Sequence, residues 1–354
     1  MDYKIILLSL IIAGNVYANT EYVNSDCANN GNGDASSCAA SAGATGAFNS
    51  INNAVAAYSG VTLTENLTIN CRGDTALATT NIASITTSAD YWIYLTVDSS
   101  SRHAGVWDDS KFTLDCGDDN NCIRASVPYL SIDGFQIYSH CSTGETCHGI
   151  RTGTSVAGGY IIKNNIVKYY NATPVNMEGI SISDTLENGA YYIVNNIVYG
   201  WYDDIVVVMK VNDLAVVYNN TAINATNRGI VFSAYSADDS AYIYNNILGA
   251  TNNDFTISSS FTTYFHDNNI TFDATSPDAD HQSKTITFVS ETDFHLDASE
   301  TDAIDLGTDL STSEQYPFDY DIDGQTRSST WDIGADETVS VVTRFFRMLM
   351  GMGK

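Results

Sequence analysis

Carboxylates, a histidine and an arginine recur at a fixed offset in the middle of this 354-residue chain. His148, Glu178, Asp203, Arg228 and Asn253 each stand directly before a two-residue mark: Gly149-Ile150, Gly179-Ile180, Asp204-Ile205, Gly229-Ile230 and Asp254-Phe255. The marks are 30, 25, 25 and 25 residues apart. If such units stack in register, each of these side chains lies roughly 5 Å from the next. Glu178, Asp203 and Asp204 then share one surface, flanked by His148 and Arg228, with Arg151 and Lys210 close by. Two carboxylates at that separation are what glycoside hydrolysis needs, one as acid and one as nucleophile or base. Crowded like charges also lift the pKa of one of them. A solvated row of turn charges is the competing reading, and it needs no chemistry.

The elements that would position this column are strands and turns. Asn164-Asn165, Asn195-Asn196, Asn219-Asn220, Asn245-Asn246 and Asn268-Asn269 recur with first members 31, 24, 26 and 23 residues apart. Each pair follows a β-branched or aromatic run such as Tyr191-Tyr192-Ile193-Val194. Asp133-Gly134, 31 residues before Asn164, joins the series. Two interleaved periods of about 25 residues predict a β-solenoid, an all-β fold of stacked coils. Stacked Asn side chains can hydrogen-bond along the axis, which gives the pairs a physical reason to recur.

Alternation along a strand sets which side chains point outward. Ile162, Ile193, Val217 and Ile243 are predicted to face in, so Lys163, Tyr192, Tyr218, Tyr242 and Tyr244 face out. Such an aromatic ladder can stack on sugar rings, because a pyranose offers an apolar C–H face to a π-cloud. Strand propensity alone also favours Tyr there.

Formal net charge is −27, which excludes nucleic acid as a partner, since phosphates need Lys and Arg. It also disfavours a polyanionic glycan unless a cation bridges the two. Lys4, the apolar run from Ile5 to Ala13 and Val16-Tyr17-Ala18 have the order of a secretory signal, predicting a leader over 1–18 and a mature chain from Asn19. The run is too short to span a bilayer. Export permits disulfides among the seven Cys. Cys27 with Cys38, Cys116 with Cys122 and Cys141 with Cys147 are neighbours in sequence, and local pairing would leave Cys71 over; spacing leaves the connectivity open.

Residues 19–60 read as an edge strand, a Gly-rich turn and a short helix whose apolar face is Ile51, Ala54, Val55 and Tyr58. Such a helix covers the open first coil. With the strand-Asn-Asn-Ile unit and the offset Gly-Ile unit, these features resemble the right-handed parallel β-helix proteins of the pectin-lyase-like superfamily, over most of residues 20–275. The resemblance implies three parallel sheets in residues 61–275. It says little about activity, because this fold hosts many functions. Polygalacturonase-like members pair an Asp-Asp with Gly-His-Gly and Arg-Ile-Lys elements. Asp203-Asp204 resembles the first, and the other two are missing. Pectate lyase-like members use calcium-binding acids with an Arg base; Arg151 and Arg228 are available, without the family's motif around either.

The period fails after Ile270. Over residues 290–337 the order Ala303-Ile304-Asp305-Leu306-Gly307, Asp321-Ile322-Asp323-Gly324 and Asp332-Ile333-Gly334-Ala335-Asp336 resembles the C-terminal segment of choice-of-anchor Q proteins, which implies a secreted or surface protein. Asp319, Asp321 and Asp323 before Gly324 match the opening of a calcium loop. The twelfth position is Thr330, unlike an EF-hand. Residues 338–354 carry three basic groups, no acid and an apolar stripe of Val342, Phe345, Phe346 and Leu349. This tail can cover the last coil, dock on an acidic neighbouring subunit to make a homo-oligomer, or lie on a membrane surface.

The sequence therefore predicts a secreted or cell-surface β-helix that engages a polysaccharide or cell-surface glycan. In the enzymatic version, a lyase or hydrolase, Glu178, Asp203, Asp204 and Arg228 do the chemistry. Tyr192, Tyr218, Tyr242, Tyr244, Lys163 and Arg151 bind substrate, and Asp319, Asp321 and Asp323 bind calcium. The alternative is a non-enzymatic adhesin or a structural protein of phage-spike type.

Overall fold

A computed structural model describes residues 19–338, apart from residues 78, 119–120, 142–145, 154–157, 171–173, 175, 184–186 and 259–262. The expected leader (1–18) and nearly all of the basic tail (338–354) lie outside the described residues. The chain winds into a parallel β-helix with three sheets, of nine, eight and seven strands. Each coil contributes one strand to each in turn, as in Ala190–Val194, Ile197–Tyr199 and Asp203–Met209. Every strand pairing within the three sheets is parallel. Following the chain, the nine-stranded sheet is here the first, the eight-stranded the second and the seven-stranded the third.

The Asn pairs make the corner between the first and second sheets, and the two members do different work. The first member turns the chain with a left-handed backbone: φ is 53° at Asn164, 54° at Asn195, 51° at Asn219, 58° at Asn245 and 54° at Asn268. Asn tolerates this region better than other residues with a side chain. The second member faces inward and builds a buried ladder. Asn165 Nδ2 donates to Asn196 Oδ1, Asn196 to Asn220, and Asn220 to Asn246, each at 3.0 Å; Asn246 donates to Asn269 at 2.8 Å. Backbone amides of the same residues share these acceptors. Asp133-Gly134 joins one residue out of the expected step. Asp133 pairs with Lys163, so Gly134 (φ 83°) takes the turn position and Phe135 takes the ladder position. Glycine serves there because it needs no side chain to hold a left-handed turn.

Inward side chains of all three sheets form one core running the length of the helix. At its start Ile51–Ala57 is the expected capping helix: Ser50 accepts from Asn53 N at 3.2 Å, and Ile51, Ala54 and Val55 are buried in the core. Cys27–Cys38, Cys116–Cys122 and Cys141–Cys147 form disulfides, and Cys71 is a buried free thiol. Among the described residues no helix is long and apolar enough to cross a membrane.

The C-terminal residues are a strap laid over the outside of the helix. Ile286, Phe294, Leu296, Ile322 and Ile333 cover Ile166, Ile197, Ile223 and Ile247 on the outer face of the second sheet. Leu310, Tyr316, Phe318 and Trp331 cover Ile161, Tyr192, Val216 and Tyr218 on the outer face of the first. The turn-forming Asn residues hold the strap in place. Asn195 Oδ1 accepts from Arg327 at 3.0 Å, Asn219 Nδ2 donates to the carbonyls of Asp332 and Gly334, and Asn245 Nδ2 donates to Thr308 O at 2.8 Å. Arg327 is fully buried and also reaches the carbonyls of Gly334 and Ala335 and the carboxylate of Glu337.

Candidate functional site

The outer face of the third sheet carries the polar column. His148, Glu178, Asp203, Arg228 and Asn253 are paired in register on successive strands, and Ile150, Ile180, Ile205, Ile230 and Phe255 follow in register behind them. Glycine precedes the Ile in three coils because a Cβ would collide: at Gly179 it would lie 2.4 Å from Val198 Cγ1 and 2.6 Å from Asp204 O.

The column is a series of closed ion pairs. Arg228 grips Asp203 with both prongs, Nε to Oδ1 at 2.9 Å and an Nη to Oδ2 at 2.6 Å, and Asn227 Nδ2 adds a third bond at 2.8 Å. The Asp203 side chain is only 4% exposed. Both carboxylate oxygens of Asp203 are therefore already occupied by donors of the protein. His148 Nε2 lies 3.3 Å from Glu178 Oε2, and Glu178 remains 27% exposed. Burial works against its charge, but the hydrogen bonds from His148 and Ser181, and the charge of Arg151, outweigh it and hold Glu178 below its ordinary range. A general acid needs the opposite shift.

Asp204 differs from the expectation that it shares this surface. The ladder skips Asp204, and it faces the core together with its neighbour Ile205, fully buried, with its Oδ1 accepting from Trp201 N at 3.4 Å. Burial, reinforced by Asp203, raises its pKa well above the ordinary value. Asp204, with its raised pKa, is thus sealed from any substrate.

The expected outer ladder divides in two. Tyr192 and Tyr218 do point out of the helix, yet they are 2% and 1% exposed, because Tyr316 packs on the first and Phe318 on the second. No sugar ring reaches them while the strap is in place. Tyr242 and Tyr244 are half-buried, and Tyr242 stacks on Phe265 at 4.8 Å. Lys163 pairs with Asp133 at 3.5 Å, in a network with Arg102, and meets Tyr316. Arg151 stays on the outer face of the third sheet, between Arg124 and Ser181 in register.

Asp319, Asp321 and Asp323 do not converge as one ligand set among the described residues. Asp321 Oδ1 accepts from the amides of Asp323 and Gln325 at 3.0 and 2.8 Å, and Oδ2 from that of Glu337 at 3.3 Å. Asp319 is exposed. Asp323 turns to His295, and with Asp336 these present ligand atoms within 4.8 Å of one another. An imidazole beside two carboxylates is not the all-oxygen shell that calcium takes, so this donor set does not fit that ion.

A second cluster, unmarked by the Asn-Asn and Gly-Ile units, lies on the outer face of the second sheet before the strap begins. Asp115, Tyr138, Lys168 and Tyr199 stand in register on four strands. Lys168 Nζ sits 3.4 Å from the centre of the Trp107 ring and 4.9 Å from that of Tyr138. Burial against these rings lowers its pKa to about 8, although Asp109 and Asp115 pull the other way. Tyr170 meets Tyr138 edge-on at 5.8 Å and is 71% exposed. The sequence holds one trace of this row: Tyr138, Lys168 and Tyr199 each fall four residues after a turn-forming Gly or Asn. Trp107 comes from a loop outside the repeat and leaves no such trace.

No family model matches the chain, and no curated protein matches it. The solved structures that match include a crystal structure of the pectate lyase Pel9A, 14% identical, covering 94% of this chain and 100% of that one at a TM-score of 0.37.

Proposed function

We propose that this chain is an exported surface protein that holds a polysaccharide against the faces its strap leaves bare, and does not cleave it. The observation that carries this reading is the strap itself. It covers the first sheet at Tyr192 and Tyr218 and much of the second, while on the outer face of the third sheet Glu178, Arg228 and Asn253 of the polar column stay at least partly exposed, in a register that repeats once per coil. A straight row with that repeat suits an extended, repeating partner. Sugars satisfy such rows through many hydroxyl contacts, each modest alone. The three disulfides accord with an oxidising compartment.

Binding without turnover is favoured because each carboxylate of the column is occupied or sealed. Asp203 is clamped, Glu178 is held ionised and Asp204 is buried. The lyase or hydrolase reading retains one support, the partly exposed Glu178 beside His148. A panel of neutral and acidic polysaccharides, pectate among them, tests both readings. Retention is followed by affinity electrophoresis, and turnover by new reducing ends and by the ultraviolet absorbance of unsaturated uronides. The assay is run with calcium and then with chelator. Retention without product is expected, unchanged by chelation. Product of either kind would make the protein an enzyme, and loss of retention or of thermal stability on chelation would restore a calcium role for the loop at Asp319, Asp321 and Asp323.

A further inference from the structure

We propose that the cluster of Trp107, Tyr138, Lys168 and Tyr170 is a binding subsite for uncharged hexopyranose chains. The inference rests on the glycan-binding reading above and assigns it a place and a sugar class.

The cluster is built rather than incidental. Gln136, fully buried, accepts from Asp108 N at 2.7 Å and donates to Asp108 O at 2.9 Å, which pins the loop next to Trp107. Asp109 accepts from the Trp107 indole at 2.7 Å and fixes its rotation. The loop thus holds a large ring over Lys168 and against Tyr138, whose centroid is 6.1 Å away. Tyr170 then projects at the end of its strand, at odds with the usual burial of a large aromatic side chain and without a covering group from the strap.

Position limits the subsite. Going along the row, Asp115 lies at one end, paired with His140 at 3.6 Å. At the other end Tyr199 is capped by Phe294 of the strap at a centroid distance of 4.8 Å. The open stretch between them covers the coils of Tyr138 and of Lys168 with Tyr170. Neighbouring coils lie about 4.8 Å apart, comparable to the advance per residue of an extended 1,4-linked chain. A pyranose can lay its C–H face on Tyr170 while its hydroxyls meet Lys168, His140 and Asp115.

Charge selects the sugar class. Asp109 and Asp115 border one cation, on a chain with a formal net charge of −27. A polyuronate would meet repulsion over its whole length, whereas an uncharged chain gives up only water.

The test uses native gels containing hydroxyethyl cellulose, galactomannan or polygalacturonate. The mature chain should be retarded by at least one uncharged glycan, and Tyr170→Ala should weaken that retardation roughly tenfold, the size of one lost stacking contact. Trp92, Trp201 and Trp331 are buried, so glycan-induced change in tryptophan fluorescence should come from Trp107 and vanish in Trp107→Phe. Retardation by uncharged glycan that survives Tyr170→Ala unchanged would overturn the subsite and leave the general reading standing. Retardation by polygalacturonate alone would overturn the assigned sugar class. Retardation by none would overturn the general reading, and the subsite with it.

Discussion

At the scale of single residues, the side chains that look most catalytic are those with the strongest structural employment. Asp203 is buried and held by Arg228 and Asn227, so removing Arg228 leaves a carboxylate with one neutral donor. Arg228→Ala should cost about 3 kcal/mol, and Asp203→Ala with Arg228→Ala should cost less than the two single changes together. Urea unfolding midpoints decide this. His103 supplies a pH test. Its Nε2 donates to Asn164 O at 2.9 Å and its Nδ1 accepts from Gly105 N at 3.2 Å, so the neutral ring is the one that fits. Burial, helped by the charge of Arg102, lowers its pKa from 6.5 to about 4. The unfolded chain then binds the proton first as pH falls. The contribution of His103 to stability should drop by about 3 kcal/mol between pH 6.5 and 4, then level off. His103→Gln should lack that limb, measured as melting temperature against pH.

At the scale of elements, the corner between the first and second sheets carries more than turn geometry. Its inward Asn row replaces hydrogen bonds that the bend would otherwise leave unmade. Asn220 accepts from Asn196 and donates to Ile193 O at 2.9 Å and to Asn246 at 3.0 Å. Asn220→Ala would strand the buried amide of Asn196 and remove the donor to Ile193 O, while the carboxamides of Asn196 and Asn246 each keep another partner. A loss of about 4 kcal/mol is expected, from two or more unsatisfied groups. Hydrogen exchange should localise the opening to the coils of Asn196, Asn220 and Asn246, because each coil of a solenoid contacts only its neighbours. Protection lost evenly along the whole helix would contradict the ladder's local role. Periodicity made this row legible. The step at Asp133-Gly134 was not, since a left-handed Gly and a left-handed Asn look alike only once the register is known.

For the molecule as a whole, the strap decides which surfaces are available. Arg327 is its anchor, buried against Asn195, four carbonyls and Glu337. Arg327→Leu should free Glu337 as an unpaired buried charge and loosen the strap by about 3–5 kcal/mol while the coils persist. Limited proteolysis should then cut within residues 286–337, and binding of an apolar dye should rise as Tyr192, Val216 and Tyr218 are uncovered. Loss of the far-ultraviolet β signal at the same denaturant concentration would mean that strap and helix fold as one unit.

The sequence by itself determined the solenoid, the phase of its strands, the capping helix and the register of the polar column, because a repeat of fixed length writes the same burial pattern once per coil. Neighbouring cysteines made the disulfide pairs legible in the same local way. Only the tertiary structure decided exposure. Tyr192 and Tyr218 obey the outward alternation and are nevertheless buried, since what covers them lies some hundred residues further along and outside the period. Alternation likewise could not tell that Asp204, in a glycine position, turns into the core, nor that a loop brings Trp107 to Lys168. A repeat reports on contacts between equivalent positions. Contacts made by segments that do not repeat are set by packing alone, and here they choose which faces remain to meet a partner.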